Sequence, residues 1–418
     1  MNTEPKKKVM VVGGGIAGLT AAWELSRMNL DVHIVEKTCF LGGHAIKLCC
    51  KATEECQQCG ACSVEKMLKN VVNEPEINIH LSTEIESINR SGNFNISLNK
   101  GPEYIDPGLC TNCGACFEKC PEPGAIIQGF SKNNSSLYGI VEEKIPLIKD
   151  FCKDICPEGA ISLDKKGTSE SLDVDAVIIA TGFQPFDPDI KGTYGYNKLD
   201  NVISGMDLEE CLRQNGCALR PSDGKKPEKV AFIQCVGSRD ERLGNLWCSQ
   251  VCCPYALRMA EVIKNQDPET KISVFYMDIQ NAGNNFPVFY EKCKSDIEFV
   301  RNIPVDIFPV ANDKLQMRYL NDDEGCAVTG EFDLVVLSIG ITPGEDNNKL
   351  SKIFDVVLDK DGFISNDNKL NKSSTSNKGI FVAGTAGGPK DIADSMANAG
   401  QAVCEATNYL GREGKNDI

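Results

Sequence analysis

Val9-Met10-Val11-Val12-Gly13-Gly14-Gly15-Ile16-Ala17-Gly18 is the stretch that decides the fold of the chain's first part. Four apolar residues without alternation suit a parallel strand buried on both faces. Gly13-x-Gly15-x-x-Gly18 then turns the chain into a helix with Leu19, Ala22, Trp23 and Leu25 on one face. The next apolar run, Val32-His33-Ile34-Val35, ends at Glu36. This is a βαβ unit carrying the dinucleotide fingerprint in the context it requires. Gly13 permits the tight turn, Gly15 lets backbone approach a pyrophosphate, and Gly18 lets the helix pack closely on the sheet. The pyrophosphate would sit on the helix N-terminus at Ile16 and Ala17, where unpaired N–H groups favour an anion. Glu36, followed by Lys37, can accept from a ribose hydroxyl. The competing reading is a plain tight βα turn.

Working outward, Leu41-Gly42-Gly43 follows the acid, and two later strand ends carry small residues, Ala180-Thr181-Gly182 and Ala383-Gly384-Thr385. This set resembles the FAD domain of the two-dinucleotide-fold disulfide reductases. In that family the last motif usually ends in an acid holding the ribityl chain; Thr385 stands there instead. Further strands are expected at Asn78–Leu81, Glu84–Ile88 and Asn93–Leu98 as a meander, and at Ala176–Ala180, Val230–Gln234, Ile272–Tyr276, Asp333–Ile339 and Ile380–Ala383. Helices are expected over Tyr255–Ile263 and from about Ile392 to Leu410.

Length and charge bound the class. The chain has 418 residues, 44 Lys+Arg against 59 Asp+Glu and a net charge of −15. An acidic balance argues against a nucleic-acid partner. Lys6, Lys7 and Lys8 precede only four apolar residues, too few for a secretory signal, and no stretch approaches the ~18 apolar residues of a membrane span. The expectation is a cytoplasmic protein. Its 21 cysteines then read as metal or redox ligands rather than disulfides.

The cysteines come in three blocks. Cys110-x2-Cys113-x2-Cys116-x3-Cys120-Pro121 matches the spacing that wraps a 4Fe–4S cube, with the fourth cysteine going to a neighbouring cluster; zinc is the rival. Cys152-x3-Cys156-Pro157 is the second half of a ferredoxin-like pattern. Its two other cysteines should fall at 146 and 149, which are Pro146 and Lys149. One complete set is therefore expected, Cys110, Cys113, Cys116 and Cys156, with Cys120 and Cys152 as buried thiols. Cys56-x2-Cys59-x2-Cys62 offers three more ligands, with Cys49 or Cys50 as a fourth; partly buried free thiols are the alternative. The third block is Cys235, Cys248, Cys252 and Cys253. It follows a strand that should feed a second Gly-rich turn and feeds Cys235-Val236-Gly237-Ser238-Arg239 instead, so a nicotinamide nucleotide is not expected there. Cys39, Cys211, Cys217, Cys293, Cys326 and Cys404 carry no motif and are read as structural.

Arg220-Pro221-Ser222-Asp223-Gly224-Lys225, Gln234-Cys235-Val236-Gly237-Ser238-Arg239-Asp240, Cys248-Ser249-Gln250-Val251-Cys252-Cys253 and Gly388-Pro389-Lys390-Asp391-Ile392 resemble the A-type component of heterodisulfide reductase. The resemblance runs over nearly the whole chain. Against full-length methanogen-type members, the extra N-terminal domain and the C-terminal ferredoxin domain are expected to be missing. In size it is nearer to relatives in the quinone-interacting oxidoreductase and benzoyl-CoA reductase complexes. The resemblance implies FAD on the Gly13–Gly18 turn, about three 4Fe–4S clusters, one of them on Cys235, Cys248, Cys252 and Cys253, and a homodimer within a larger complex. Partners would be heterodisulfide reductase B/C-like or flavin/ferredoxin-type subunits.

The expected fold is α/β: two dinucleotide-binding-type, thioredoxin reductase-like domains with inserted iron–sulfur segments, including a ferredoxin-like α+β insert. The expected parts are 1–100 for the first FAD segment, with a cysteine insert at 49–70; 101–165 for the ferredoxin-like insert; 166–228 for the second FAD segment and connection; 229–342 for the second dinucleotide-fold domain; and 343–418 for the last FAD segment. The expected function is a flavin and iron–sulfur electron-transfer subunit of an anaerobic oxidoreductase complex, with electron bifurcation as one form. The alternatives are a relay or scaffold without a substrate of its own, and an NAD(P)H-dependent disulfide reductase. Thr385 to Asp391 would touch the isoalloxazine, the helix opening near Ile392 would aim its positive end at it, and Lys390 would tune the ring by charge.

Overall fold

Successive residues of the first strand face opposite layers, and both layers are apolar. The computed structural model describes residues 5–106, 108–129, 138–280, 286–321, 325–366 and 371–416. Strand Lys8–Val12 turns Val9 and Val11 toward helices Ile16–Ser26 and Ile392–Asn416. Met10 and Val12 face Phe94, Ile96 and Leu98 of an antiparallel sheet. A strand without polar alternation has no solvent face to offer, which is why it lies central in its sheet.

That sheet is five-stranded and parallel, in the order Ile380–Val382, Ala176–Ile179, Lys8–Val12, Asp31–Val35, Ile77–His80. A three-stranded antiparallel sheet, Thr83–Ser91, Asn93–Lys100 and Thr168–Val174, covers one face. The second half repeats the plan. A parallel sheet runs Val202–Ser204, Leu334–Ile339, Lys229–Val236, Lys271–Phe275, Glu298–Val300. Helices Gly205–Asn215 and Cys252–Gln266 cover one face, and the antiparallel strands Ile307–Pro309, Leu315–Asn321 and Cys326–Phe332 the other. A short antiparallel pair, Phe183–Pro185 with Ile341–Pro343, ties the halves together.

The ferredoxin-like insert leaves the first half between strands Asn93–Lys100 and Thr168–Val174. It carries its own core around Ile105, Ala125, Ile126, Ile148 and Cys152. No helix among the described residues is long and apolar enough to cross a membrane.

Two expectations are corrected. Strand Ile77–His80 joins the parallel sheet rather than a meander, because it pairs with Asp31–Val35. Strand Val202–Ser204 and the helix after it belong to the second half, since the strand pairs with Leu334–Ile339. The second domain therefore starts well before residue 229; a three-residue strand in a polar stretch gives too little periodicity to announce itself.

Candidate functional site

A cavity of about 1330 Å³ opens between the two halves and the insert, above the roughly 300–1,000 Å³ of ordinary ligand pockets. One wall is the glycine turn. Gly13 has φ +102°, and a Cβ there would lie 2.5 Å from the Ala180 carbonyl oxygen. A Cβ on Gly18 would lie 1.9 Å from the Gly13 oxygen. Strand–helix packing thus restricts both positions to glycine. Gly15 differs: its φ is −74°, and a Cβ would meet only the Gly43 Cα, at 3.9 Å. The side chain it lacks leaves space beside a ligand instead of relieving a clash. Gly15, Ile16 and Ala17 all border the cavity, and their helix begins without a side-chain cap. Its first N–H groups are disposed for an anion.

Glu36 also borders the cavity. Its Oε2 accepts from Gly14 N at 2.7 Å, and its Oε1 from Thr38 N and Thr38 Oγ1, both at 2.8 Å. The carboxylate therefore braces the glycine turn, with about one of its four acceptor positions left for a ribose hydroxyl. Lys37 faces the same space, its ammonium paired with Glu345 at 2.5 Å and Asp346 at 2.7 Å. Gly42 sits behind the wall, its N–H donating to Gly14 O at 2.8 Å, and Gly43 lines it. Thr181 and Gly182 border the cavity, and the Thr181 hydroxyl is buried without a partner among the described residues.

From the far end come Thr385, Lys390, Asp391 and Ile392. Gly384 stands behind them, its N–H donating to Asn398 Oδ1. Lys390 Nζ donates to the carbonyls of Gly384 (3.0 Å) and Gly388 (3.3 Å). Burial, reinforced by Lys372, pushes this ammonium down to about 8, against the opposing charge of Asp394. Asp391 Oδ1 caps the last helix by accepting from Asp394 N at 2.7 Å.

The insert brings Cys110, Cys113, Cys116 and Cys156 around one small cavity. Ala160 N donates to Cys156 Sγ at 3.3 Å. Left-handed Asn112 and Gly114 fold the loop that carries Cys110, Cys113 and Cys116 tightly. Cys120 and the buried Cys152 lie apart from that cavity in the insert core, Cys120 Sγ donating to Glu122 O. Pro146 and Lys149 occupy helix Ile145–Ile155.

In the third block a small hairpin, closed by Arg239 N to Trp247 O and Asp240 N to Asn245 O, returns Cys248 to Cys235. Cys252 and Cys253 open helix Cys252–Gln266 at its positive end, while burial pushes both thiols upward. Gln250 N donates to Cys248 Sγ at 3.3 Å. The four thiols are near enough to interact electrostatically, and Cys252 borders the large cavity. A Cβ on Gly237 would fall 2.0 Å from the Phe186 ring, so the turn that a second dinucleotide would need is filled.

The first block divides. Cys59 lines the large cavity, Cys56 and Cys62 are exposed, and Cys62 lies in the first turn of helix Ala61–Val72. Cys49 goes elsewhere: its N–H donates to Glu209 Oε2 at 2.8 Å, and its thiol leans on the same carboxylate. Cys50 is exposed. Among the described residues no three His, Cys, Asp or Glu converge on a point as ligands of one ion would. A cube takes one thiolate per iron and needs its ligands spread over its corners. Of the cysteines without a motif, Cys293 is core, whereas Cys326 and Cys404 are exposed.

Two residues were not foreseen. Arg258 lines the cavity, donates to Gln57 O at 2.9 Å and sets its charge near Cys56 and Cys59; a lone arginine on an amphipathic helix carries no signal. Lys51 is wholly buried, paired with Glu209 and donating to Cys49 O at 3.1 Å, under the Tyr255 ring. This pair fastens the first cysteine segment to the second half. Lys51→Met should destabilise the chain by about 3–5 kcal/mol by stranding a buried carboxylate. Lys51→Met with Glu209→Leu should recover most of that in chemical unfolding; equal losses in both would deny the coupling.

Residues 11–47 match the NAD(P)-binding Rossmann-like domain and residues 103–122 the 4Fe-4S binding domain. The chain is 34% identical, over 96% of its length, to the A-type component of the H(2):CoB-CoM heterodisulfide,ferredoxin reductase of Methanothermobacter thermautotrophicus. It is 36% identical, over 95%, to the A-type iron-sulfur component of the CoB--CoM heterodisulfide reductase of Methanocaldococcus jannaschii. It spans 63% of the length of each relative. Among solved structures, T. acidophilum thioredoxin reductase superposes with a TM-score of 0.54 at 16% identity, covering 97% of this chain and 99% of that one.

Proposed function

We propose that the chain, similar over most of its length to A-type components of heterodisulfide reductases, is a member of that family and a flavin- and iron–sulfur-dependent oxidoreductase subunit passing electrons between partner subunits. One observation carries the reading. The glycine turn, Lys390, Cys59 of the first block, Cys252 of the third, and Phe117 and Ile126 of the insert all border the same cavity. FAD held there would convert two-electron transfer into single-electron steps, which 4Fe–4S clusters can take one at a time.

The chain's own part is binding and electrostatics. The N–H groups at Ile16 and Ala17 receive the pyrophosphate, Gly15 makes room for it, and the remaining acceptor position of Glu36 takes a ribose hydroxyl. The ligand sets are Cys110, Cys113, Cys116 and Cys156; Cys235, Cys248, Cys252 and Cys253; and Cys56, Cys59 and Cys62 with Cys50, since Cys49 is engaged by Glu209. Partners are other subunits of an electron-transfer complex, with this chain as a homodimer inside it.

The test is the composition of anaerobically purified protein. About twelve irons and as many sulfides per FAD are expected for three cubes; a colourless chain, or zinc in place of iron, would overturn the proposal. Lys390 adds a pH signature. Its amine gains a proton as pH falls through about 8, placing positive charge beside the cavity and favouring a reduced, more negative ring. The flavin potential should therefore bend upward on the acid side of pH 8 in the wild type and lose that bend in Lys390→Met. Identical potential–pH curves for the two proteins would remove Lys390 from this role.

A further inference from the structure

Beside the third thiol block lies a set of buried polar groups with nothing to bond to. Gln234, Ser238 and Ser338 are each 1% exposed. Neither the Gln234 side-chain amide nitrogen nor its oxygen has a partner among the described residues, and the same holds for both serine hydroxyls. Interior polar groups are nearly always hydrogen-bonded, so a knot of unpaired ones marks where something else is held.

Their placement says what they face. Along strand Lys229–Val236, Val230 and Phe232 pack under helix Cys252–Gln266, and along Leu334–Ile339 so do Leu334 and Val336. The intervening Ala231, Ile233, Val335 and Leu337 pack on the opposite face. Side chains alternate along a strand, so Gln234 and Ser338 fall on the helix face. Each directly follows the in-register pair Ile233–Leu337, at the bulge through which the register shifts to Val236–Ile339. Cys252 opens that helix, with its Sγ 3.7 Å from the carbonyl of Ile339, the residue after Ser338. Cys235 directly follows Gln234. Ser238 approaches from the other side: the absent Cβ of Gly340 leaves room for Ser249 Oγ and Ser238 Oγ, 2.7 and 3.4 Å from where that atom would be.

We propose that Gln234 and Ser338, with Ser238, are donors to the sulfurs of the cluster held by Cys235, Cys248, Cys252 and Cys253. They would set its potential high relative to a cube in an apolar pocket. The physical reason is charge: a cluster gains negative charge on reduction, and N–H or O–H donors aimed at its sulfurs stabilise the reduced form. This inference rests on the reading of those four cysteines as ligands.

The test uses the full chain, loaded and purified anaerobically. Cys252→Ser identifies the cluster by the irons and the electron paramagnetic resonance signal that disappear. In Gln234→Met and Ser338→Ala that signal and its irons should persist, with the midpoint potential shifted downward; Ser338→Thr, which keeps the hydroxyl, should hold the wild-type potential. An unchanged potential in both apolar variants, or loss of the cluster's irons from both, overturns the donor role while leaving the ligand assignment intact. No iron lost from Cys252→Ser overturns the ligand assignment, and the donor role with it.

Discussion

Gly15→Asp is expected to give a folded chain that purifies without flavin. A β-carbon at this position has free space, since its nearest neighbour is the Gly43 Cα at 3.9 Å, and the backbone φ of −74° is one that any residue adopts. A carboxylate at the start of a helix is also favourable to the helix itself. The strand–turn–helix should therefore survive. The carboxylate would nonetheless occupy the cradle of the pyrophosphate and repel it, so the bound fraction should fall from near one per chain to near none. Gly18→Ala makes the contrast: its β-carbon would overlap the Gly13 oxygen at 1.9 Å, so it should damage the fold together with the site. Flavin absorbance with far-ultraviolet circular dichroism separates the two. Stoichiometric flavin in Gly15→Asp would mean that the cofactor lies elsewhere.

The second large effect concerns two cysteines four residues apart. Cys116 borders the small cavity shared with Cys110, Cys113 and Cys156, whereas Cys120 points to Glu122 within the insert core. Cys116→Ser should remove one cube, taking iron from about twelve to about eight per chain. Cys120→Ser should leave iron unchanged, because the set it would serve lacks partners at Pro146 and Lys149. Iron and sulfide analysis of the two variants decides the matter; loss of a whole cube from Cys120→Ser would mean that the ligand set is drawn wrongly.

Much of this was legible in the chain itself where the constraint is local. Within the turn at Gly13–Gly18 the local collision is that of a Gly18 Cβ with the Gly13 oxygen, whereas Gly13 is restricted by its positive φ and by the distant Ala180 carbonyl, and Gly15 by no clash at all. The Cys110–Cys116 spacing is legible because one short loop carries three cysteines of the 4Fe-4S binding pattern. Strand Val202–Ser204 was not legible, since three residues cannot display a period and its partner lies more than 130 residues downstream. Cys49 and Cys50 were indistinguishable in sequence. Glu209, about 160 residues away, separates them by drawing the Cys49 backbone and thiol to itself.

The amino-acid order alone thus determined the nucleotide turn, the α/β alternation and the ferredoxin-type spacing of Cys110, Cys113 and Cys116, because each depends on neighbours along the chain. Tertiary packing alone decided that Cys59, Cys252, Lys390 and the insert meet at one cavity, that Arg258 joins them, and that Lys51 is locked beneath Tyr255. Those positions follow from how two sheets and an insert bury their apolar faces against one another, a sum over many distant contacts that no short window of residues contains.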